Sequence, residues 1–329
     1  MSSIKDVARR AGVAVSTVSK ALNGYPNVSE ETRVRVNAAV RELNFTPNLL
    51  ASALSSKKTG RVALLLNLNT DTQAVDEIDM QYLSGAISKA VERRLDVATF
   101  FFSMIRSRSA SEIADYFRSQ GIEGVIIYGM GKEDSVLREL IERKEFRIVA
   151  VDVPVVNETT SSIQIDHEQA QYEVARKTVL ENKGKSILYL SGRPDGYVTQ
   201  ERLAGIRRLA AEEGLPLLIK SGDFSEKKAR ELTFRYASGY DVIVCASDLM
   251  AIGAMRALQE MDIFRPVCGF DGITLMCYAG MQMNTVKQDF HQISEAAMEE
   301  MGRLLEGGSG RRIVPDYQIV RMKYQDVLN

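Results

Sequence analysis

The first fifty or so residues alternate short apolar stripes with polar faces at helical spacing. Ile4, Val7, Ala8 and Ala11 fall on one side of a helix, Gly12 breaks it, and Val15, Val18 and Leu22 share one face of a second. Two short helices about a tight glycine turn predict a helix-turn-helix. Ser16, Thr17, Ser19 and Lys20 then occupy the open face of the second helix. A third helix follows, with Ser29 as N-cap, Glu30 and Glu31 at its positive end, and Val36, Ala39, Val40 and Leu43 as its buried stripe. Pro47 permits a fresh helix over residues 48–54, too short and too apolar to stand alone in water. Such a segment either packs on the next domain or folds when a partner buries it.

Beyond residue 61 the pattern changes to short uninterrupted apolar runs separated by helix-length amphipathic segments. The runs fall at 62–66, 97–102, 125–128, 148–151, 187–190, 217–219, 242–245 and 267–270, with a last strand predicted at 319–322. Strands without polar alternation, interleaved with helices, predict parallel α/β sheets covered on both faces. A span of this length exceeds one comfortable core, so two similar lobes are expected.

Composition removes several classes. No apolar run reaches membrane-spanning length, and the polar start is unlike a secretory signal, so a cytoplasmic chain is expected. Cys245, Cys268 and Cys277 are odd in number and lack metal-ligand spacing. His167 and His291 read as ordinary structural residues. No strand is followed by Gly-x-Gly-x-x-Gly, no phosphate-binding lysine loop occurs, and no Gly-x-Ser-x-Gly is found. Neither an enzyme nor a metal or cofactor site is indicated.

Charge is divided unevenly. The formal total is −1, but residues 1–58 carry nine lysines and arginines against four acidic residues, leaving 33 against 39 for the remainder. A basic head on an acidic body suits phosphate binding at one end only.

Residues 4–24, with their continuations at 28–33, 43–48 and 51–54, closely resemble the headpiece and hinge of the lactose/galactose repressor family of bacterial transcriptional regulators. Three later stretches match the same family in order and spacing: 247–254, the turn Gly269, Phe270, Asp271, and the late crossover strand at 284–290. The resemblance implies a helical headpiece over 1–46, a hinge helix and linker over 47–60, and a two-lobed, periplasmic-binding-protein-like body over 61–329. Within the body it implies an N-subdomain of about 61–160 and 288–318 and a C-subdomain of about 161–287 and 319–329. The chain would cross between them near 158–162, 286–289 and 317–320.

The resemblance also assigns chemistry. Val15, Ser16 and Lys20 fall at base-reading positions: lysine can donate to guanine, serine suits several bases, and valine can pack on a thymine methyl. Thr17, Ser19, Asn23 and Thr32 fall to phosphate contacts, which set register without specifying sequence. Asn48, Ala51 and Leu54 belong to the DNA-contacting hinge, where Leu54 would wedge into the minor groove and kink the duplex. Ser55, Ser56, Lys57 and Lys58 form a polar border beyond it. Ala14 stands where the family usually has a serine, which removes a cap from the recognition helix at a cost of about 1 kcal/mol.

In the body, Tyr128, Asp152, Ser247 and Asp271 fall at the carboxyl ends of predicted strands, where ligands of open α/β sheets bind. Arg202 matches an arginine that clamps ligand hydroxyls, Asp152 and Asp271 match acceptors for sugar hydroxyls, and Phe224 matches an aromatic wall. A salt bridge between Arg202 and Asp271 is an alternative, and both can hold in an empty site. The family often has asparagine at the place of Ser247, and the first loop, 67–79, is several residues longer than usual. No cluster of lysine and arginine lies near the strand ends, which disfavours a highly phosphorylated ligand.

The function implied is a DNA-binding repressor whose affinity for double-stranded, palindromic operator DNA is set by a small effector, a sugar or sugar derivative, between the lobes. No leucine heptad follows the last strand, so a homodimer is expected. The competing reading is a regulator of the same family controlled by a phosphorylated protein partner docking on the body.

Overall fold

The computed structural model describes residues 3–22, 27–43, 45, 60–67, 77–279 and 282–322. The chain divides into two units, residues 1–59 and 60–329.

The first unit is built from three helices, Ile4–Ala11, Val15–Leu22 and Glu30–Glu42. Ser3 and Asp6 form a reciprocal capping box at the first helix, which ends at Gly12 with φ +64 in the left-handed region that glycine adopts at no steric cost. Ser29 caps the third helix through the Thr32 N–H. Val7, Ala8, Ala11, Val18, Val36 and Ala39 make the core, with Val40 and Leu43 packed against it. The first and third helices follow the sequence reading. In the second, Val18 is buried while Val15 is 40% exposed.

The second unit contains two six-stranded sheets. The first comprises β1 Arg61–Leu66, β2 Asp96–Phe101, β3 Ile122–Tyr128, β4 Arg147–Val151, β5 Thr160–Ile163 and β11 Arg312–Ile313, ordered β11-β5-β4-β3-β1-β2 and parallel throughout. The second comprises β6 Ile187–Ser191, β7 Leu217–Ser221, β8 Val242–Cys245, β9 Val267–Cys268, β10 Asn284–Lys287 and β12 Gln318–Arg321, ordered β12-β10-β9-β8-β6-β7. Only its β10–β12 pair is antiparallel.

Strand β1 shows why apolar runs without alternation belong here. Val62, Leu64 and Leu66 pack on one face with Tyr82, Ala86, Met298 and Met301, while Ala63 and Leu65 pack on the other with Ile113, Phe117, Leu137 and Leu140. Both faces of the sheet are therefore buried under helices, which removes any position for a solvated polar side chain.

The strand pairings move the expected crossings by a few residues. Thr160–Ile163 pairs with β4, so the first crossing falls at 164–166 rather than at 158–162. The second falls at 288–289, between β10 and the helix Phe290–Leu305, and the third at 314–317, between β11 and β12, rather than at 317–320. The first shift has a plain cause. Strand β5 reads Thr-Ser-Ser-Ile and gives no apolar signal, yet all four residues are buried. The Ser161 hydroxyl donates to Glu300 (2.6 Å) and the Ser162 hydroxyl to the Val153 carbonyl (2.7 Å), which satisfies groups that would otherwise resist burial.

Among the described residues, no helix is long and apolar enough to cross a membrane. Nor does any group of three or more His, Cys, Asp or Glu side chains among them have the arrangement to hold a metal ion. Cys245, Cys268 and Cys277 are all buried.

Candidate functional site

The carboxyl ends of β3, β4 and β9 converge where the chain passes between the two sheets, and a cavity of about 200 Å³ lies there. Of the body residues singled out from sequence, Tyr128, Asp152, Arg202 and Asp271 line it. Phe224 and Ser247 do not. The Phe224 ring, on left-handed backbone (φ +59), lies against Gly192. The Ser247 hydroxyl accepts from the Met250 N–H and caps the helix Asp248–Glu260, a local bond that commits the side chain to its own backbone. The aromatic lining comes instead from Tyr82, Tyr128 and Phe290. Tyr82 lies 4.6 Å from Tyr128 in a tilted pair and meets Phe290 edge-on at 5.4 Å. The Ser294 hydroxyl donates to the Tyr82 carbonyl (2.6 Å), so the Tyr128 hydroxyl must be the donor in its 2.6 Å bond to Ser294. Burial holds that phenol well above its ordinary pKa, so it stays a neutral donor.

The polar side of the cavity is one connected chain. Asp152 follows β4 and His167 opens the helix His167–Asn182; Nε2 of His167 lies 2.9 Å from Oδ1 of Asp152. Arg202, on the helix Tyr197–Glu212, directs Nε at Nδ1 of His167 (3.4 Å). Because arginine can only donate, Nδ1 must accept and Nε2 must carry the proton, which it donates to Asp152. The same guanidinium donates to the Ala246 carbonyl (2.5 Å), pairs with Asp271 (3.5 Å) and stacks 3.6 Å above the Phe270 ring. The ion pair expected as an alternative between Arg202 and Asp271 therefore exists, and both partners line the cavity. His167, read as an ordinary structural residue, instead joins Asp152 to Arg202.

Two glycines make this chain possible. A Cβ on Gly205 would lie 2.2 Å from the Glu168 carbonyl, so only glycine lets the helix bearing Arg202 approach the start of the helix bearing His167. A Cβ on Gly269 would lie 2.1 Å from Oδ1 of Asp248. The wholly buried Asp248 carboxylate accepts from the Gly272 N–H (2.7 Å), the Ile273 N–H (2.9 Å) and the Thr285 hydroxyl (2.6 Å). Those bonds fix the turn that carries Asp271 at φ +120. Asp152 is also on left-handed backbone, at φ +60. Conformations of that kind cost of order 1–3 kcal/mol and persist where the surroundings over-determine them. Burial pushes the carboxyl groups of both Asp248 and Asp271 upward; at Asp271 the negative charges of Asp248 and Asp152 add to this, and Arg202 opposes it.

A second contact joins the two sheets' surroundings. Glu77, opening the helix Glu77–Arg93, accepts from the Thr274 N–H (2.9 Å) and its hydroxyl (2.7 Å).

Sequence reasoning missed Tyr82, His167, Gln288 and Phe290. Gln288 and Phe290 sit inside the matched 284–290 stretch and were legible there as crossover residues entering the cleft. Tyr82 and His167 carry no such signal, since each reads as one more residue of an amphipathic helix.

In the headpiece, Val15, Ser16 and Lys20 are exposed and Thr17 and Ser19 half-buried. Lys20 is on the same helix as Val15 and Ser16, whose N-cap position is Ala14: its carbonyl receives the Thr17 and Val18 N–H groups (2.9 and 3.1 Å), but it has no side-chain oxygen to offer. Thr32 is half-buried, with its hydroxyl 2.9 Å from that of Ser29. Asn23, Asn48, Ala51 and Leu54 lie outside the described residues.

Residues 3–48 match the model of bacterial regulatory proteins of the lacI family, and residues 80–305 match that of periplasmic binding proteins and the sugar binding domain of the LacI family. The HTH-type transcriptional regulator AscG of Escherichia coli is 30% identical over 94% of this chain and 93% of its own. The HTH-type transcriptional repressor PurR of Photobacterium profundum is 27% identical over 95% of each. A crystal structure of the lac repressor dimer, bound to operator and the anti-inducer ONPF, shares the fold, with a TM-score of 0.81 at 24% identity over 98% of both chains. With a helix-turn-helix headpiece, a two-sheet parallel α/β body and both models matched in order, the chain belongs to the lacI family of bacterial regulatory proteins.

Proposed function

We propose that this regulator is a cytoplasmic repressor that binds palindromic operator DNA as a homodimer and changes its affinity when a sugar-class ligand occupies the cavity between the lobes. The single observation that carries the ligand half is the continuous chain Asp152–His167–Arg202–Asp271, which runs from the end of β4 in one lobe to the end of β9 in the other and whose Asp152, Arg202 and Asp271 line the cavity between them. Carboxylates, a guanidinium and aromatic faces suit hydroxyl groups on a ring, which donate, accept and stack. The description of the matched model as a sugar binding domain supports the same class.

In the headpiece, Val15, Ser16 and Lys20 read bases while Thr17, Ser19 and Thr32 contact phosphate, with Asn23, Asn48, Ala51 and Leu54 completing the DNA contacts. The exposure of Val15 supports this assignment over a core role. The basic balance of residues 1–58 supplies the electrostatic attraction. Ligand binding shifts the lobes between two arrangements, and its effect on DNA equals its difference in affinity for them, commonly ~1–3 kcal/mol. Asp152–His167 and Glu77–Thr274 are the contacts that such a shift would break or remake. The regulator performs no catalysis in this reading.

The test is to select an operator from random duplexes with the full chain, then titrate that complex with sugars and sugar phosphates. A symmetric site whose occupancy changes with one of them is the expected result. A symmetric site that responds to no small molecule, but to a phosphorylated protein partner, would replace the ligand half of the proposal.

A further inference from the structure

The donor and acceptor balance of the cavity narrows the ligand further, and this step rests on the sugar-class reading above. Among the described residues, Arg202 is the one cation lining the cavity, and its guanidinium is already directed at three protein groups: His167, the Ala246 carbonyl and Asp271. The two lining amides are oriented the same way. Asn67 gives its amide nitrogen to the Gly129 carbonyl (3.1 Å), and Gln288 gives its own to Asp271 (3.2 Å). Turning either amide over would set oxygen against oxygen, so each is fixed with its carbonyl oxygen toward other neighbours. Gln288 is 4% exposed, and its Oε1 is buried without a hydrogen-bond partner among the described residues. On Asp152, His167 occupies Oδ1, and no described donor occupies Oδ2. Beside the spare N–H groups of Arg202 and of the two amides, and the Tyr82 hydroxyl, the lining thus holds acceptors without a described donor, and it carries three carboxylates, Asp79, Asp152 and Asp271, against the one cation Arg202.

A neutral hydroxyl brings one donor and also lone pairs that would meet these acceptors. An ammonium brings three donors, no lone pair and a positive charge. We propose that the effector is an amine-bearing polyol of single-ring size, with its ammonium lodged between the carboxylates of Asp152 and Asp271 and its ring against Tyr82, Tyr128 and Phe290. The cavity, at about 200 Å³, is smaller than the roughly 300–1,000 Å³ of sites for drug-sized ligands, which suits one ring and not two. A cation there also reverses a repulsion: the charges of Asp152 and Asp248, which now disfavour an ionised Asp271, would be balanced from inside the cavity.

The experiment is a thermal-shift and calorimetric comparison on the full chain at neutral pH, using glucosamine, galactosamine and mannosamine against glucose, galactose and mannose. The expected result is that at least one amine binds about tenfold or more tightly than its own parent sugar. Asp152→Asn, which keeps an oxygen for His167, should erase that preference. Should that variant fail to fold, the paired comparison on the unaltered protein still decides. A parent sugar that binds as well as or better than its amine overturns this inference and leaves the sugar-class reading standing. No response to any of the six overturns this inference, and the sugar-class reading is then decided by the wider titration of the operator complex with sugars and sugar phosphates.

Discussion

Nε2 of His167 donates to Oδ1 of Asp152 across 2.9 Å, and this bond runs from the first helix of one lobe to the residue that follows strand β4 in the other. The histidine is wholly buried, and Asp152 keeps 26% of its side-chain surface, so solvent screens the pair weakly on one side only. The Glu77–Thr274 contact also joins the lobes but is exposed, and exposed polar contacts contribute little. The buried bond is the one that decides the geometry. Replacing His167 by leucine leaves Asp152 without its donor and Arg202 without one acceptor, a loss of about 1.5–3 kcal/mol for a hydrogen bond to a charged group. His167→Leu is expected to weaken effector binding roughly 10- to 100-fold. Affinity for operator without effector should hold. Calorimetric titration of the variant checks this, and an unchanged dissociation constant would remove His167 from the site.

Gly205 tests how tightly Arg202 is placed. An added methyl would meet the Glu168 carbonyl at 2.2 Å, and a backbone atom cannot swing aside as a side-chain end can. Overpacking of that kind costs about 1–3 kcal/mol. Gly205→Ala should lower the melting temperature by several degrees and weaken the effector response along with it. Scanning calorimetry with and without effector separates the two effects. A variant that melts as the parent does would mean that the helices part without penalty.

These residues mark where a sequence pattern is informative. The headpiece and the buried strands were legible because the order of apolar residues carries the signal, as helical spacing at Val7, Ala8 and Ala11 and as the uninterrupted run at 62–66, buried on both faces of its sheet. Asp152, Arg202 and Asp271 were legible through motif spacing. Strand β5 was not, because Ser161 and Ser162 are buried by hydrogen bonds that no local pattern encodes. His167 was hidden for a related reason: its partners stand 15 and 35 residues away, and only the crossing of two helices at Gly205 brings them together. Ser247 misled because a strand-end serine can face a cleft or cap the next helix, and the cap is the local bond.

The direction of the Asp271 shift fixes a dependence of stability on pH. Burial raises this carboxyl above its unfolded value, so the folded protein holds the proton more tightly than the unfolded chain. Stability from this group is complete below the ordinary carboxylate range and is lost as pH rises through the raised value toward neutrality. Asp248 adds with the same sign. Carboxylates held low elsewhere, such as Asp223 beside Lys228, slope the other way, so the wild type alone cannot isolate the effect. The difference between wild type and Asp271→Asn can. As pH climbs from the ordinary carboxylate range toward neutrality, the wild type should lose melting temperature relative to the variant. A difference that stays flat would mean that Asp271 is ionised throughout.

Lys20 and its neighbours predict two distinct failures of DNA binding. A lysine reading guanine discriminates at one position, whereas a group that contacts phosphate supports all sequences alike. Lys20→Ala should cost about 1–3 kcal/mol on the selected operator and relax preference at a single base pair of each half-site. Binding to random duplex should change little. A uniform loss over all sequences would reassign Lys20 to the backbone.

Ala14 offers a gain of function at the same helix. Its carbonyl already receives the Thr17 and Val18 N–H groups, so the backbone stands in the arrangement of an N-cap and lacks only the side-chain acceptor. Exchanging alanine for serine at such a position is worth about 0.5–2 kcal/mol. Serine also offers a hydroxyl at the helix N-terminus, where the dipole favours phosphate. Ala14→Ser should therefore slow amide exchange in the helix Val15–Leu22 by roughly 2- to 30-fold and tighten operator binding. Hydrogen exchange on the full chain reads the first effect, and filter binding against salt reads the second. If exchange slows while affinity is unchanged, the gain belongs to the helix alone. If neither moves, the first turn of this helix is already held by other donors and acceptors, and the missing cap has no energetic weight.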